Sequence, residues 1–155
     1  MNTAANSDLP VTAYWHLWTD AQGVSHFSRC ELKRFEPVSM GGAAPQWNDS
    51  LGRGECTVIF SVQPVGWIGD WHENPQPQWV VPLSGRWWVE AMDGQRVEMG
   101  PGETSFGADQ HCVADAQGRS GHRSGTVGDE PAHLMIVRLH QLQGDRGAGG
   151  PCCFE

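Results

Sequence analysis

The stretch Gly66–Gly85, GWIGDWHENPQPQWVVPLSG, decides the fold. Two short runs rich in tryptophan and β-branched residues, 67–73 and 78–83, are separated by Pro75 and Pro77, and each has the length and composition of a β-strand. Side chains alternate across a strand with period two. Asp70, His72 and Asn74 therefore share one face of the first run, while Trp71 and Glu73 point the other way. Gln78, Val80 and Pro82 take the matching face of the second. The spacing directs one imidazole and two amides toward a common enclosed space.

The pattern repeats on both sides of this stretch. Further strands are expected near 12–18, 25–35, 56–62, 86–92, 95–99, 103–107, 121–126 and 132–140, punctuated by Gly, Pro, Asp and Asn. No window carries the i, i+3, i+4, i+7 apolar repeat of an amphipathic helix. Asp93-Gly94, between WWVEAM and QRVEM, favours a two-residue hairpin because both residues tolerate positive φ. Many short strands at regular spacing predict an all-β sandwich or barrel, with jelly rolls among the options. The irregular segment Gly41–Arg53 is a candidate cover for one mouth. Residues 1–10 read as a loose lead, 11–141 as one β-barrel domain, and 142–155 as a flexible tail.

The frame of Gly66, His72, Asn74, Gln78 and Gly85 resembles the first motif of the cupin superfamily: a glycine, His-x-His, a glutamate and a closing glycine at the same intervals. His72 holds the first histidine position, Asn74 replaces the second, and Gln78 replaces the glutamate. The turn Gly100-Pro101-Gly102-Glu103 resembles the opening of the second motif. Two histidines compete to complete it: His111, at the usual distance, and His122, whose surroundings GHRSGTVGDEPAHLMIV resemble a subgroup of small bacterial cupins. His122 is the better match. The resemblance implies a single-domain jelly-roll barrel and, where family members bind metal, ligands at His72, Asn74, Gln78 and the second-motif histidine. One divalent transition metal (Fe, Mn, Ni or Zn) is thus one option. A metal-free site is the other, because two neutral amides replace stronger ligands and the lost carboxylate removes charge from beside any cation.

Composition narrows the partners. Eighteen acidic residues against ten basic ones give a net charge of −8, and Lys33 is the sole lysine. That balance disfavours phosphate backbones and anionic lipid, so neither nucleic acid nor membrane is an expected partner. The N-terminus lacks a signal-peptide pattern. The five cysteines (Cys30, Cys56, Cys112, Cys152 and Cys153) have no regular spacing and no CxxC pair, so they read as structural or incidental residues in a reducing cytoplasm. Eight tryptophans against one tyrosine suggest packing in a core or homodimer interface, or a pocket for a flat apolar ligand.

These readings converge on a small-molecule enzyme of oxygenase, isomerase, cyclase or lyase type, acting on an apolar, aromatic or cyclic compound. His72, Asp70 and His122 are the candidate catalytic residues, and Trp79, Trp87, Trp88, Asp109 and His111 the candidate pocket. His72 suits proton transfer because an unperturbed imidazole titrates near neutrality. The competing reading is a non-catalytic ligand-binding or sensor domain that keeps the barrel and has lost its metal site. Asp70 reads equally as a solvated turn residue, His26 as an edge-strand surface histidine, and Arg86 as a solvated neighbour of the indoles.

Overall fold

Alternating strands and glycine-bearing turns divide the chain as the sequence suggests. The computed structural model describes residues 9–141 and 150–155. Its strands are β1 (Thr12–Thr19), β2 (Ser25–Leu32), β3 (Glu36–Val38), β4 (Gln46–Asn48), β5 (Cys56–Gln63), β6 (Gln78–Ser84), β7 (Arg86–Ala91), β8 (Arg96–Met99), β9 (Ser105–Ala108), β10 (His122–Val127) and β11 (Ala132–Leu139). A six-stranded sheet runs β2-β1-β9-β6-β11-β5, a three-stranded sheet runs β10-β7-β8, and β3 and β4 form a short ribbon. β1 and β9 pair in parallel. The result is an all-β jelly-roll architecture with no helix among the described residues, and its two main sheets do not join into one continuous closed barrel.

Leu17, Phe27 and Leu134 of the large sheet pack with Trp87, Val89 and Val97 of the small one. Gln78 and Val80 are buried on this inner side, as the alternation requires. β5 reverses the usual amphipathic pattern. Val58, Phe60 and Val62 are exposed, Phe60 at 72%, whereas Ser61 and Gln63 look into the interior cavity.

The segment 67–73 departs from the expected strand. It meets β10 only through isolated bridges, Ile68 with Gly125 and His72 with His122. Gly66 takes a positive φ of 75°, and Gly69 lies two residues before Trp71, so the run lacks the uniform extended backbone of a ladder strand. The expected strand over 25–35 also ends early, at Leu32, before the β3–β4 ribbon. The second strand of that ribbon, β4, and Leu51 fall in the segment expected to cover a mouth. Leu51 instead packs against the outer cluster of the large sheet.

On that outer side Tyr14, Phe106 and Phe154 are fully buried, with Trp79 and Leu139 against them. Phe154 belongs to the stretch expected to be a flexible tail. Its burial removes a large apolar surface from water and is worth about 1.5–3 kcal/mol. A disulfide joins Cys30 to Cys152 across a sequence separation of 122. The Nδ1 of His16 lies 3.0 Å from the carbonyl oxygen of Pro151, and Arg34 Nη2 donates to the carbonyl of Glu155 at 2.6 Å. Gly150–Glu155 is thus a fastened strap, which corrects the tail reading for these residues and the expectation that Cys30 and Cys152 stay reduced. The bridge also removes the cysteine argument for a reducing compartment. Residues 1–8 of the expected lead and 142–149 of the expected tail lie outside the described residues.

His26, on the edge strand β2, spans two turns: Nε2 lies 2.7 Å from Asp20 and Nδ1 2.9 Å from Asp93. Only an imidazolium donates from both nitrogens. Partial burial pulls its pKa down, but the hydrogen bonds to the two carboxylates outweigh it and raise the pKa above the ordinary value of 6.5. This contribution is fully present below the unfolded pKa and is lost as pH rises through the folded one. In thermal melts, the stability advantage of the native protein over His26→Gln should shrink from mildly acidic to alkaline pH. An advantage constant across that range would refute the coupling.

Candidate functional site

Between the sheets lies a cavity of about 120 Å³. Leu17, Phe27, Val80, Val89 and Leu134 provide apolar wall, and His72, Asn74, Gln78 and His122 converge on one end. The three positions that the Gly66–Gly85 frame assigned to a common space do share it. A larger groove of about 460 Å³ on the outer face is lined mainly by Leu32, Leu51, Trp79, Val81 and Val137, and Glu103 is its sole charged side chain. The chemistry-bearing groups therefore belong to the interior cavity.

A continuous hydrogen-bond chain fixes them. Arg138 Nε donates to Gln78 Oε1 at 3.1 Å, and Gln78 Nε2 donates to Asn74 Oδ1 at 2.7 Å. Asn74 then donates from Nδ2 (2.7 Å) and from its backbone N–H (3.0 Å) to Asp109 Oδ1. The second carboxylate oxygen, Oδ2, accepts from His122 Nδ1 at 2.6 Å. Asp109 is 0% exposed. Burial pushes its carboxyl pKa up, but the hydrogen bonds from His122 and Asn74 overcome this and hold it below the usual carboxylate value. An ionised Asp109 keeps the His122 proton on Nδ1 and leaves the Nε2 lone pair for the cavity.

His72 stands at the mouth. Its Nδ1 donates to the carbonyl of Asp70 at 2.7 Å, which leaves its Nε2 as an acceptor as well. The two imidazole centroids are 4.5 Å apart, inclined at 51°. Their backbones exchange two hydrogen bonds of 2.9 and 2.8 Å, so the rings sit on a shared rigid bridge. Although the His72 residue is exposed, its ring lines the cavity together with the buried His122.

Two glycines make room. A Cβ at Gly107 would fall inside the van der Waals envelope of the Asn74 amide, and one at Gly121, where φ is 79°, would strike the carbonyl of His72. Gly107→Ala should displace Asn74 from Asp109 and destabilise the fold by about 1–3 kcal/mol, as overpacking does. Chemical denaturation measures this, and an unchanged midpoint would show that Asn74 adapts freely.

Other expected positions fall elsewhere. Asp70 is exposed, and only its carbonyl serves the site, through His72; without a regular strand, alternation does not carry from 72 back to 70. Asp109 lies fully buried behind His122, not at the mouth. His111 is exposed with φ of 68° and lines a separate hollow beside His16 and Trp18. The second histidine of the cavity is His122. Trp87 lines the cavity, but its neighbour Trp88 must face the opposite way, where Arg96 stacks 3.9 Å over its ring. Trp79 faces outward onto Tyr14 and Phe154. Arg86 is near Glu103 at 3.6 Å.

Sequence reasoning missed Gln63 and Ser61. The signal was available in the inverted pattern of β5, where the apolar residues alternate outward and the polar ones inward.

A divalent metal centre here would have only neutral donors. The Nε2 atoms of His72 and His122 do not take part in the hydrogen bonds just described, and the amide oxygens of Asn74 and Gln78 each accept one hydrogen bond and keep a second lone pair, without charge. No group of three His, Cys, Asp or Glu side chains suited to a metal gathers among the described residues. The donor set does not make a three-ligand centre with a balancing negative charge. Neither the protein-family models nor the curated proteins compared with this chain give a match.

Proposed function

We propose that this protein is a small-molecule enzyme of cupin type that moves a proton on an apolar, carbonyl-bearing compound held between its sheets, an isomerase- or lyase-type step. His122 acts as the base through Nε2, and Asp109 stabilises the imidazolium that forms. His72, 4.5 Å away at the mouth, exchanges the proton with solvent. The supporting observation is the 2.6 Å contact between the buried His122 Nδ1 and Asp109 Oδ2, which orients a neutral base and stabilises its charged product. The reaction is metal-independent in this reading, because no carboxylate lines the cavity to balance a divalent cation. Protein purified without chelator is expected to carry far less than one equivalent of transition metal, and near-stoichiometric metal would overturn that part.

The direct test is deuterium incorporation at the α-carbons of cyclopentanone in D₂O, followed by NMR. The native protein should accelerate exchange, and His122→Gln should reduce the protein-dependent rate by roughly a hundredfold or more. Equal rates for native protein and a folded His122→Gln variant would sink the proposal. A non-catalytic ligand-binding module is the second reading, favoured by the amide chain itself, which rigidifies the cavity at Asn74 and Gln78. It requires ligand binding with no exchange in either protein.

A homodimer is part of the same proposal. Val58, Phe60 and Val62 form an exposed apolar row on β5, the last strand of the large sheet, which suits burial against a second copy. Sedimentation velocity should find a dimer that Phe60→Lys converts to monomer; a monomeric native protein would refute it.

A further inference from the structure

Two residues of the cavity wall each carry a buried polar atom with no hydrogen-bond partner among the described residues. Trp87, on β7 of the small sheet, is 6% exposed, and Gln63, at the end of β5 in the large sheet, is 8% exposed. Both residues line the cavity, and neither Trp87 Nε1 nor Gln63 Oε1 has a hydrogen-bond partner among the described residues. Buried donors and acceptors are almost always paired, so two orphan atoms, on side chains that different sheets contribute to the wall of one cavity, point to an occupant that pairs them once the side chains adjust to reach it. An indole N–H can only donate, and an amide oxygen can only accept.

The same wall limits the charge of that occupant. No Asp, Glu, Lys or Arg side chain lines the cavity. An ion placed there would lose its hydration with no Asp, Glu, Lys or Arg beside it, and the two histidines are neutral in the resting state of this reading, which disfavours it. Size gives the third limit. The cavity holds about 120 Å³, slightly less than the roughly 150 Å³ apolar cavity that admits benzene.

We infer that the ligand is an uncharged molecule of about five to seven heavy atoms that carries an acceptor oxygen for Trp87 Nε1 and a separate hydrogen-bond donor for Gln63 Oε1. Small hydroxyketones and lactams belong to this class. The inference rests on the reading of this cavity as the substrate site, and it names the groups that select the substrate. Trp87 and Gln63 recognise; His122 and His72 move the proton.

Three probes of similar size separate the claims. 2-Pyrrolidinone carries both an acceptor and a donor, cyclopentanone carries the acceptor alone, and pyrrolidine is a cation at neutral pH. Ligand-observed NMR with the full-length protein should rank them in that order, with no specific binding of pyrrolidine. Trp87→Phe should weaken 2-pyrrolidinone and cyclopentanone alike by about two- to tenfold, whereas Gln63→Met should weaken 2-pyrrolidinone by a similar factor and leave cyclopentanone unchanged. Circular dichroism and melting temperature verify the fold of each variant, and Gln63→Met carries the test alone if Trp87→Phe does not fold.

Pyrrolidine binding as tightly as the lactam overturns the inference. So do equal losses for both neutral probes in Gln63→Met, or no binding of any probe up to its solubility, the outcome expected if water alone satisfies the two atoms. The proton-transfer reading fails separately. It falls if the probes bind in the expected order but the native protein accelerates no deuterium exchange, whereas His122→Gln that retains binding and loses exchange supports both.

Discussion

Replacing Asp109 by alanine is expected to lower the unfolding free energy by about 3–5 kcal/mol, the range for removing one partner of a buried charged pair. The carboxylate accepts from His122 Nδ1, Asn74 Nδ2 and the Asn74 backbone N–H, so the substitution orphans three buried donors together. Asp109→Asn separates stability from chemistry. An amide retains the volume but has only one oxygen to accept, so it cannot hold Asn74 and His122 in their present arrangement, and the His122 tautomer is no longer fixed. Its exchange activity should fall by roughly a hundredfold or more, with a smaller loss of stability than in the alanine variant. The pH dependence follows from the lowered pKa of Asp109. Its contribution is present above the ordinary carboxylate value of 3.8 and is lost as pH falls through the folded value, so an acid titration of native protein should show a loss there that Asp109→Asn lacks. Urea denaturation of both variants checks the ranking. Native-like stability in Asp109→Ala would mean that the hydrogen-bond chain is dispensable.

The second large effect is expected at the strap. Cys152→Ser opens a disulfide that closes a loop with a sequence separation of 122. On the chain-entropy account, a bridge closing a loop of about a hundred residues stabilises by roughly 4–5 kcal/mol. Native protein and Cys152→Ser should therefore differ by about 3–5 kcal/mol under oxidising conditions and converge when the native bridge is reduced. Phe154→Ala, which leaves the bridge in place, should cost about 3–5 kcal/mol through the vacated space among Tyr14, Trp79 and Phe106. If reduction leaves the melting temperature unchanged, the strap contributes no stability through its bridge.

Local chemistry was readable in the sequence. A hairpin at Asp93-Gly94 does join β7 to β8, but only Gly94 takes a positive φ (89°). The two-residue form with both residues at positive φ is therefore not the one built: the Ala91 N–H donates to the Gln95 carbonyl across a longer loop. Gln78 and Val80 face inward by period two, and that same alternation sends Trp79 outward, against the expectation that it lines the pocket. Trp87 and Trp88 are consecutive in one strand, so only one of them faces the interior. His122 is in the site because it lies directly opposite His72. Asp109 was expected in the pocket lining and instead lies behind His122, because a loop separates the two and strand patterning says nothing about where a loop folds back. The strap was illegible for a related reason. GDRGAGG carries no periodic signal, and the docking of Phe154 depends on a cleft assembled from β1, β6 and β9, which no local window contains.

β9 has a consequence for how this protein tolerates change. Its successive residues serve two interiors: Ser105 and Gly107 line the cavity, while Phe106 between them packs against Phe154 at 4.8 Å between ring centroids. β9 is thus a single layer shared by the docked Gly150–Glu155 segment and the cavity. Substitutions at Phe154 and its neighbours are therefore not silent, and should be weighed as alterations of the cavity wall.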